Sequence, residues 1–141
     1  MTNTLGRPDF DLITAWIEPG HRVLDLGCGD GSLLRHLVDS RGVRGVGVEI
    51  DDANILAAIR NGINVLQGNL EKGLDEFADQ SFDHVILSRT LQTVRHTEGI
   101  LREIDRISRL GSIAQQAESL QQLLQGSGVI FRLLTNGFRK A

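Results

Sequence analysis

The sequence predicts an α/β fold: a doubly wound parallel sheet with helices on both faces and right-handed crossovers. Three observations predict it. Short apolar runs alternate with helical patterns from the start of the chain. The first run ends in a glycine-rich stretch, VLDLGCGDGSLL at 23–34, of the kind that joins a strand to a helix. The run FDHVILS at 82–88 has a continuous apolar centre, as a strand covered on both faces requires.

Each element has its own local signal. In DFDLITAWI, 9–17, Phe10, Ile13 and Ile17 fall at helical spacing, and Pro19-Gly20 ends the helix. Residues 22–26 form a short strand, and 32–40 a helix with Leu33, Leu34, Leu37 and Val38 on one side. The run VRGVGVEI, 43–50, is a second strand. Asp51 or Asp52 caps the helix after it, whose buried stripe is Ile55, Leu56 and Ile59 and whose C′ residue is Gly62. A third strand covers 63–67 and a fourth 82–88. A helix from about Thr97 carries Ile100, Ile104 and Ile107. Beyond Gly111, GSIAQQAESLQQLLQ reads as an added amphipathic helix and VIFRLL, 129–134, as a fifth strand. Residues 1–141 are expected to form a single domain, with 111–141 atypical.

Bulk composition narrows the function. The chain of 141 residues is 40% hydrophobic and 23% charged, as soluble globular proteins are. A net charge of −3 argues against nucleic-acid binding by phosphate neutralisation. Arg102, Arg106 and Arg109 alternate with Glu103 and Asp105, which reads as a solvated helix face. One cysteine, Cys28, excludes an internal disulfide and a multi-cysteine zinc set, and no metal cluster is visible. No apolar run reaches membrane-spanning length and the first residues lack a signal-peptide pattern, so a cytoplasmic protein is expected.

The glycine loop points to a nucleotide-like cofactor on the carboxyl edge of the sheet. Gly27, Gly29 and Gly31 give G-x-G-x-G, with Ser32 where a dinucleotide fingerprint has its third glycine. Electrostatics separates the candidates further. Asp25 and Asp30 beside a pyrophosphate would repel it, whereas S-adenosylmethionine has no phosphate and carries a sulfonium and an ammonium. Glu49 closes the second strand 18 residues after Gly31, where a carboxylate can accept from both ribose hydroxyls. Ile50 would offer an apolar surface to the adenine. Asp30 serves equally well as a cap of the following helix. Cys28 reads as a small packing residue whose backbone matters more than its thiol.

The motifs DLGCGDG, GVEID, VLQGNLEKGL and SFDHVILSRTLQ, with RPDFDLI near the start, resemble the MetW family, class I methyltransferase-like proteins of methionine biosynthesis. The resemblance runs from about Arg7 to Arg106. It implies a Rossmann-like sheet of order 3-2-1-4-5, truncated on its C-terminal side, since the family continues into further strands that this chain lacks. It also implies S-adenosylmethionine or S-adenosylhomocysteine as cofactor. Asp25, Gly27, Gly29 and Gly31, with the Cys28 backbone, would surround its methionine part, Glu49 the ribose and Ile50 the adenine. Asn69 stands where the family presents an aspartate to the adenine amino group, with Leu70 beside it, and Ser88 lies near the cofactor at the end of the fourth strand. The carbonyl of Asn69 can still accept that hydrogen bond. Arg89 replaces the family's usual glutamine.

Two functions follow from the resemblance. One is a SAM-dependent methyltransferase acting on a small molecule. The other is a non-catalytic, cofactor-sensing partner of the homoserine O-acyltransferase that the family accompanies. Methyl transfer needs chiefly alignment, so the absence of a catalytic triad says little. His96, in the loop after the fourth strand, is the one candidate general base. His21 and His36 read as surface residues and His84 as packed. No asparagine-proline-proline-aromatic motif supports amino-methylation of nucleic acid or protein. The incomplete sheet leaves an edge that invites homodimerisation.

Overall fold

The computed structural model describes residues 8–72, 74–88, 97–109 and 132–134. The elements are α1 (Pro8–Trp16), β1 (Arg22–Leu26), α2 (Ser32–Arg41), β2 (Arg44–Glu49), α3 (Asp52–Arg60), β3 (Asn64–Gln67), β4 (His84–Ser88), α4 (Thr97–Ile107) and β5 (Arg132–Leu134). They build an open five-stranded sheet of order β3-β2-β1-β4-β5. The first four strands are parallel, with Leu24 opposite Val46 on one side and Val85 on the other.

Strand alternation sorts the apolar residues onto two faces. Val23 and Ile86 point into a cluster with Phe10, Ile13, Leu33 and Leu37, so α1 and α2 cover that face. Leu24, Leu26, Val48 and Val85 point the other way, onto Ile100, Ile104 and Ile107 of α4. These core side chains are buried, and each contributes about 1.5–3 kcal/mol through removal from water. The ends of α3 match the sequence reading. Asp51 caps its start by accepting from the Asn54 amide at 2.9 Å. At its end the Gly62 and Ile63 amides reach back to the Ile59 and Ala58 carbonyls, a Schellman closure with Gly62 at C′.

Four expectations are corrected. First, β5 occupies the expected edge but runs antiparallel to β4, with Leu134 opposite Ile86 and Arg132 opposite Ser88. An apolar run such as VIFRLL does not encode direction; the end of the sheet from which the chain arrives does. The isolated parallel bridge Phe82–Ser108 lies at the foot of β4, where a parallel neighbour would begin. The described fifth strand pairs instead from the head of β4 downward.

Second, Leu56 and Ile59 are exposed, and Ala58 is the buried residue of α3. A Cβ on Gly31 would lie 3.3 Å from the Ala58 Cβ, so the helix sits close over the glycine loop and only a small residue fits beneath it. Third, His36 is buried, its ring 5.6 Å from that of Phe10, because it shares the α2 face of Leu33 and Leu37. Fourth, Arg106 and Arg109 are not simply solvated: Arg109 Nε donates to Asp83 at 2.6 Å, and Arg106 bonds five times. The helix expected over 111–125 lies outside the described residues, as do Arg89 and His96.

Candidate functional site

Strands β1, β2 and β3 all end on one edge, and hydrogen bonds join their tips. The Gly27 and Cys28 amides both donate to the Val48 carbonyl, at 2.8 and 3.1 Å, and the Gly68 amide donates to that of Glu49 at 3.1 Å. Asp25 is fully buried on β1, immediately beneath the loop. Cys28 packs against β2: a Cβ on Gly47 would stand 2.5 Å from its Sγ. Burial, with the Asp25 and Glu49 charges nearby, pushes the Cys28 thiol up to about 12, which makes it inert packing as the sequence suggested.

The Glu49 carboxylate is the centre of the arrangement. Its Oε1 accepts from the Gly29 amide at 2.9 Å, and its Oε2 from the Ile50 and Asp51 amides at 2.9 and 3.0 Å. Three of about four lone-pair directions are thus filled, and one at Oε1 remains. Glu49 therefore has a role that the sequence did not reveal: it clasps the glycine loop to the tip of β2.

The loop itself divides by residue. Gly29 has φ +59° and open space where a Cβ would stand, so it permits close approach from outside. Gly31 is needed for a different reason, since its Cβ would meet Ile63 at 2.9 Å. Gly31, not Asp30, is the N-cap residue of α2; Asp30 precedes it and braces the first turn, its Oδ1 accepting from the Ser32 amide at 3.0 Å and hydroxyl at 2.6 Å. The Asn61 side chain donates to the Asp30 carbonyl at 2.7 Å, a support that one asparagine after a helix does not announce in sequence.

These bonds decide what the loop can hold. The amides of Gly27, Cys28, Gly29, Gly31 and Ser32 all donate within the protein. A phosphate cradle needs such amides turned toward the ligand. Here the edge offers carboxylates instead, which suits a ligand bearing hydroxyls and positive charge.

Beside the loop, Ile50 is 58% exposed. A cavity of about 270 Å³ opens after β3, lined in part by Val48, Asn69, Leu70, Leu74, Asp75 and Glu76. Asn69 and Leu70 are thereby brought to the same edge as Glu49. Ser88 ends β4 on that edge, opposite Arg132 of β5. His21 and His84 lie at the other end of the sheet, joined by a hydrogen bond of 2.7 Å between His21 Nδ1 and His84 Nε2. Among the described residues no cluster of metal-ligand side chains occurs, and no helix is long and apolar enough to cross a membrane.

The family model described as "Methionine biosynthesis protein MetW" matches residues 7–116. The chain belongs to the MetW family. A curated relative, the bifunctional methionine biosynthesis protein MetXA/MetW of Rhodopirellula baltica, is 37% identical over 123 residues, 82% of this chain and 20% of the relative. The ubiquinone/menaquinone biosynthesis C-methyltransferase UbiE of Xanthomonas oryzae is 35% identical, over 77% of this chain and 46% of the enzyme. The chain thus spans half or less of these curated relatives.

Among solved structures, the Haloferax volcanii complex of the Trm112 methyltransferase activator with a methyltransferase matches with a TM-score of 0.64 and 29% identity, over 77% of this chain and 51% of that chain. A SAM-dependent methyltransferase from Archaeoglobus fulgidus matches in fold with a TM-score of 0.67 and 22% identity, over 79% of this chain and 50% of that chain. The fold is the open α/β sheet of SAM-dependent methyltransferases, and this MetW-family chain is methyltransferase-like and linked to methionine biosynthesis.

Proposed function

We propose that this MetW-family chain binds S-adenosylmethionine or S-adenosylhomocysteine at the edge formed by the glycine loop, Glu49 and Asn69. The observation that carries the reading is the Glu49 carboxylate, fixed at the β2 tip by three amides with acceptor capacity left toward the open side of Gly29. Glu49 accepts from a ribose hydroxyl; the exposed Ile50 lies against the adenine face; Asn69 and Leu70 meet its edge. Asp25, Gly27, Gly29 and Gly31, with the Cys28 backbone, shape the space for the amino-acid part, and Ser88 lies near it at the end of β4. Of the two, only S-adenosylmethionine would supply an electrophilic methyl group on a sulfonium. The chain's own share is alignment and exclusion of water, after which a small-molecule acceptor is methylated.

The relative named for both MetXA and MetW favours a second reading. In it the chain senses the cofactor for a homoserine O-acyltransferase partner and performs no chemistry. Calorimetric titration of the purified chain with S-adenosylmethionine, S-adenosylhomocysteine and NAD tests the shared premise. Binding of the first two alone is expected; binding of NAD, or of none in a folded protein, overturns it. Methyl turnover on any acceptor then rejects the pure sensor. Unaltered acyltransferase activity together with no co-purification rejects the partner.

A further inference from the structure

We propose that Arg106, on α4 and away from the glycine loop, is a positioning residue that holds the 74–80 segment in place as one wall of the cavity beside Asn69. A guanidinium has five N–H donors fixed in one plane. All five are used. Nε and Nη2 donate to Glu103 Oε2 at 3.1 and 2.8 Å, Nη1 to the Phe77 carbonyl and Asp79 Oδ1 at 2.8 Å each, and Nη2 to the Leu74 carbonyl at 2.9 Å. The Arg106 backbone carbonyl in turn accepts from the Gln80 amide at 2.9 Å. One residue thereby grips positions 74, 77, 79 and 80.

The segment needs that grip. Gln80 sits at φ +52°, a conformation L side chains disfavour, and it persists only where the surroundings impose it. Leu74, Asp75 and Glu76 line the cavity, so the place at which the Leu74 carbonyl is fixed sets the cavity's width. The anchor is rigid, because Ile100, Ile104 and Ile107 of α4 are buried in the same cluster as Leu70 and Leu74. A lysine would keep the charge but could not reach both carbonyls and both carboxylates at once.

The inference rests on the cofactor reading only for the identity of the ligand that fills the cavity. Its test has one arm that needs no ligand. Amide hydrogen exchange of the full chain is compared between wild type and Arg106→Lys. Exchange is expected to rise about tenfold at 74–80 and stay unchanged in β1 and α2. In the second arm, affinity for S-adenosylhomocysteine is expected to fall about tenfold in Arg106→Lys, the loss of roughly one hydrogen bond's worth of positioning. Millimolar guanidinium is expected to restore the affinity of Arg106→Ala. Unchanged exchange, a rise spread evenly over the chain, or wild-type affinity despite faster exchange overturns the proposal. If wild type itself does not bind S-adenosylhomocysteine, the cofactor reading falls and the exchange pattern alone decides the clamp.

Discussion

Acid should loosen this protein through one histidine pair, and the size of the effect follows from the structure. His84 is 1% exposed at the start of β4, and its Nε2 is hydrogen-bonded to His21 Nδ1 at 2.7 Å. Burial, and then the neighbouring His21, hold the His84 imidazole down at about 4 from its ordinary 6.5; Asp83 opposes the shift, and Arg109 reinforces it. The folded state therefore resists a proton that the unfolded chain accepts. The stability tied to His84 is complete above pH 6.5, declines as the pH falls below it, and is gone below about 4. At ~1.4 kcal/mol per tenfold change, the full loss is roughly 3–4 kcal/mol, most of which appears by pH 4.5.

His21 Nε2 also lies 3.3 Å from Glu18, and Asp83 at the same foot of the sheet responds to acid as well. Burial works to raise the Asp83 carboxyl, but the Arg22 amide and the Arg109 guanidinium outweigh it and hold it below the usual carboxylate range, so acid also costs stability there. Comparison with His84→Gln removes these shared contributions. Urea unfolding at pH 7.5 and 4.5 should show wild type losing roughly 2–3 kcal/mol more than the variant, a midpoint difference of roughly 1–3 M for ordinary urea slopes. Equal losses in the two proteins would refute the reasoning, because the pair would then carry no pH-dependent strain.

Three further outcomes are expected. Glu49→Ala removes the proposed ribose acceptor and the clasp on Gly29 together, so calorimetry should show cofactor affinity weaker by about 1.5–3 kcal/mol per charged hydrogen bond lost; wild-type affinity would remove the assignment. Asn69→Asp should bind as tightly or more tightly, and a large loss would mean that the loop after β3 meets the ligand differently. Gly47→Ala forces a methyl to 2.5 Å from Cys28 Sγ and should cost about 1–3 kcal/mol in thermal or urea unfolding, while an unchanged midpoint would show that the loop yields freely.

The sequence by itself determined the parallel α/β core, the order of its elements, the glycine loop and the acid at the tip of the second strand. These are local signals: an apolar run, a helical stripe, an aspartate before a helix and a glycine after one act through the backbone of their own neighbourhood. Tertiary structure alone decided the direction of β5, because a strand's partner direction depends on the path by which the chain reaches it. It decided that α3 rests on Ala58 rather than on Leu56 and Ile59, because the rotation of a helix is set by what lies beneath it, here Gly31. It joined His21 to His84, Glu49 to Gly29 and Arg106 to the 74–80 segment. Those contacts link residues from 20 to 63 positions apart, a span over which a side chain's charge and size say what it can bond but not what the fold will bring to it.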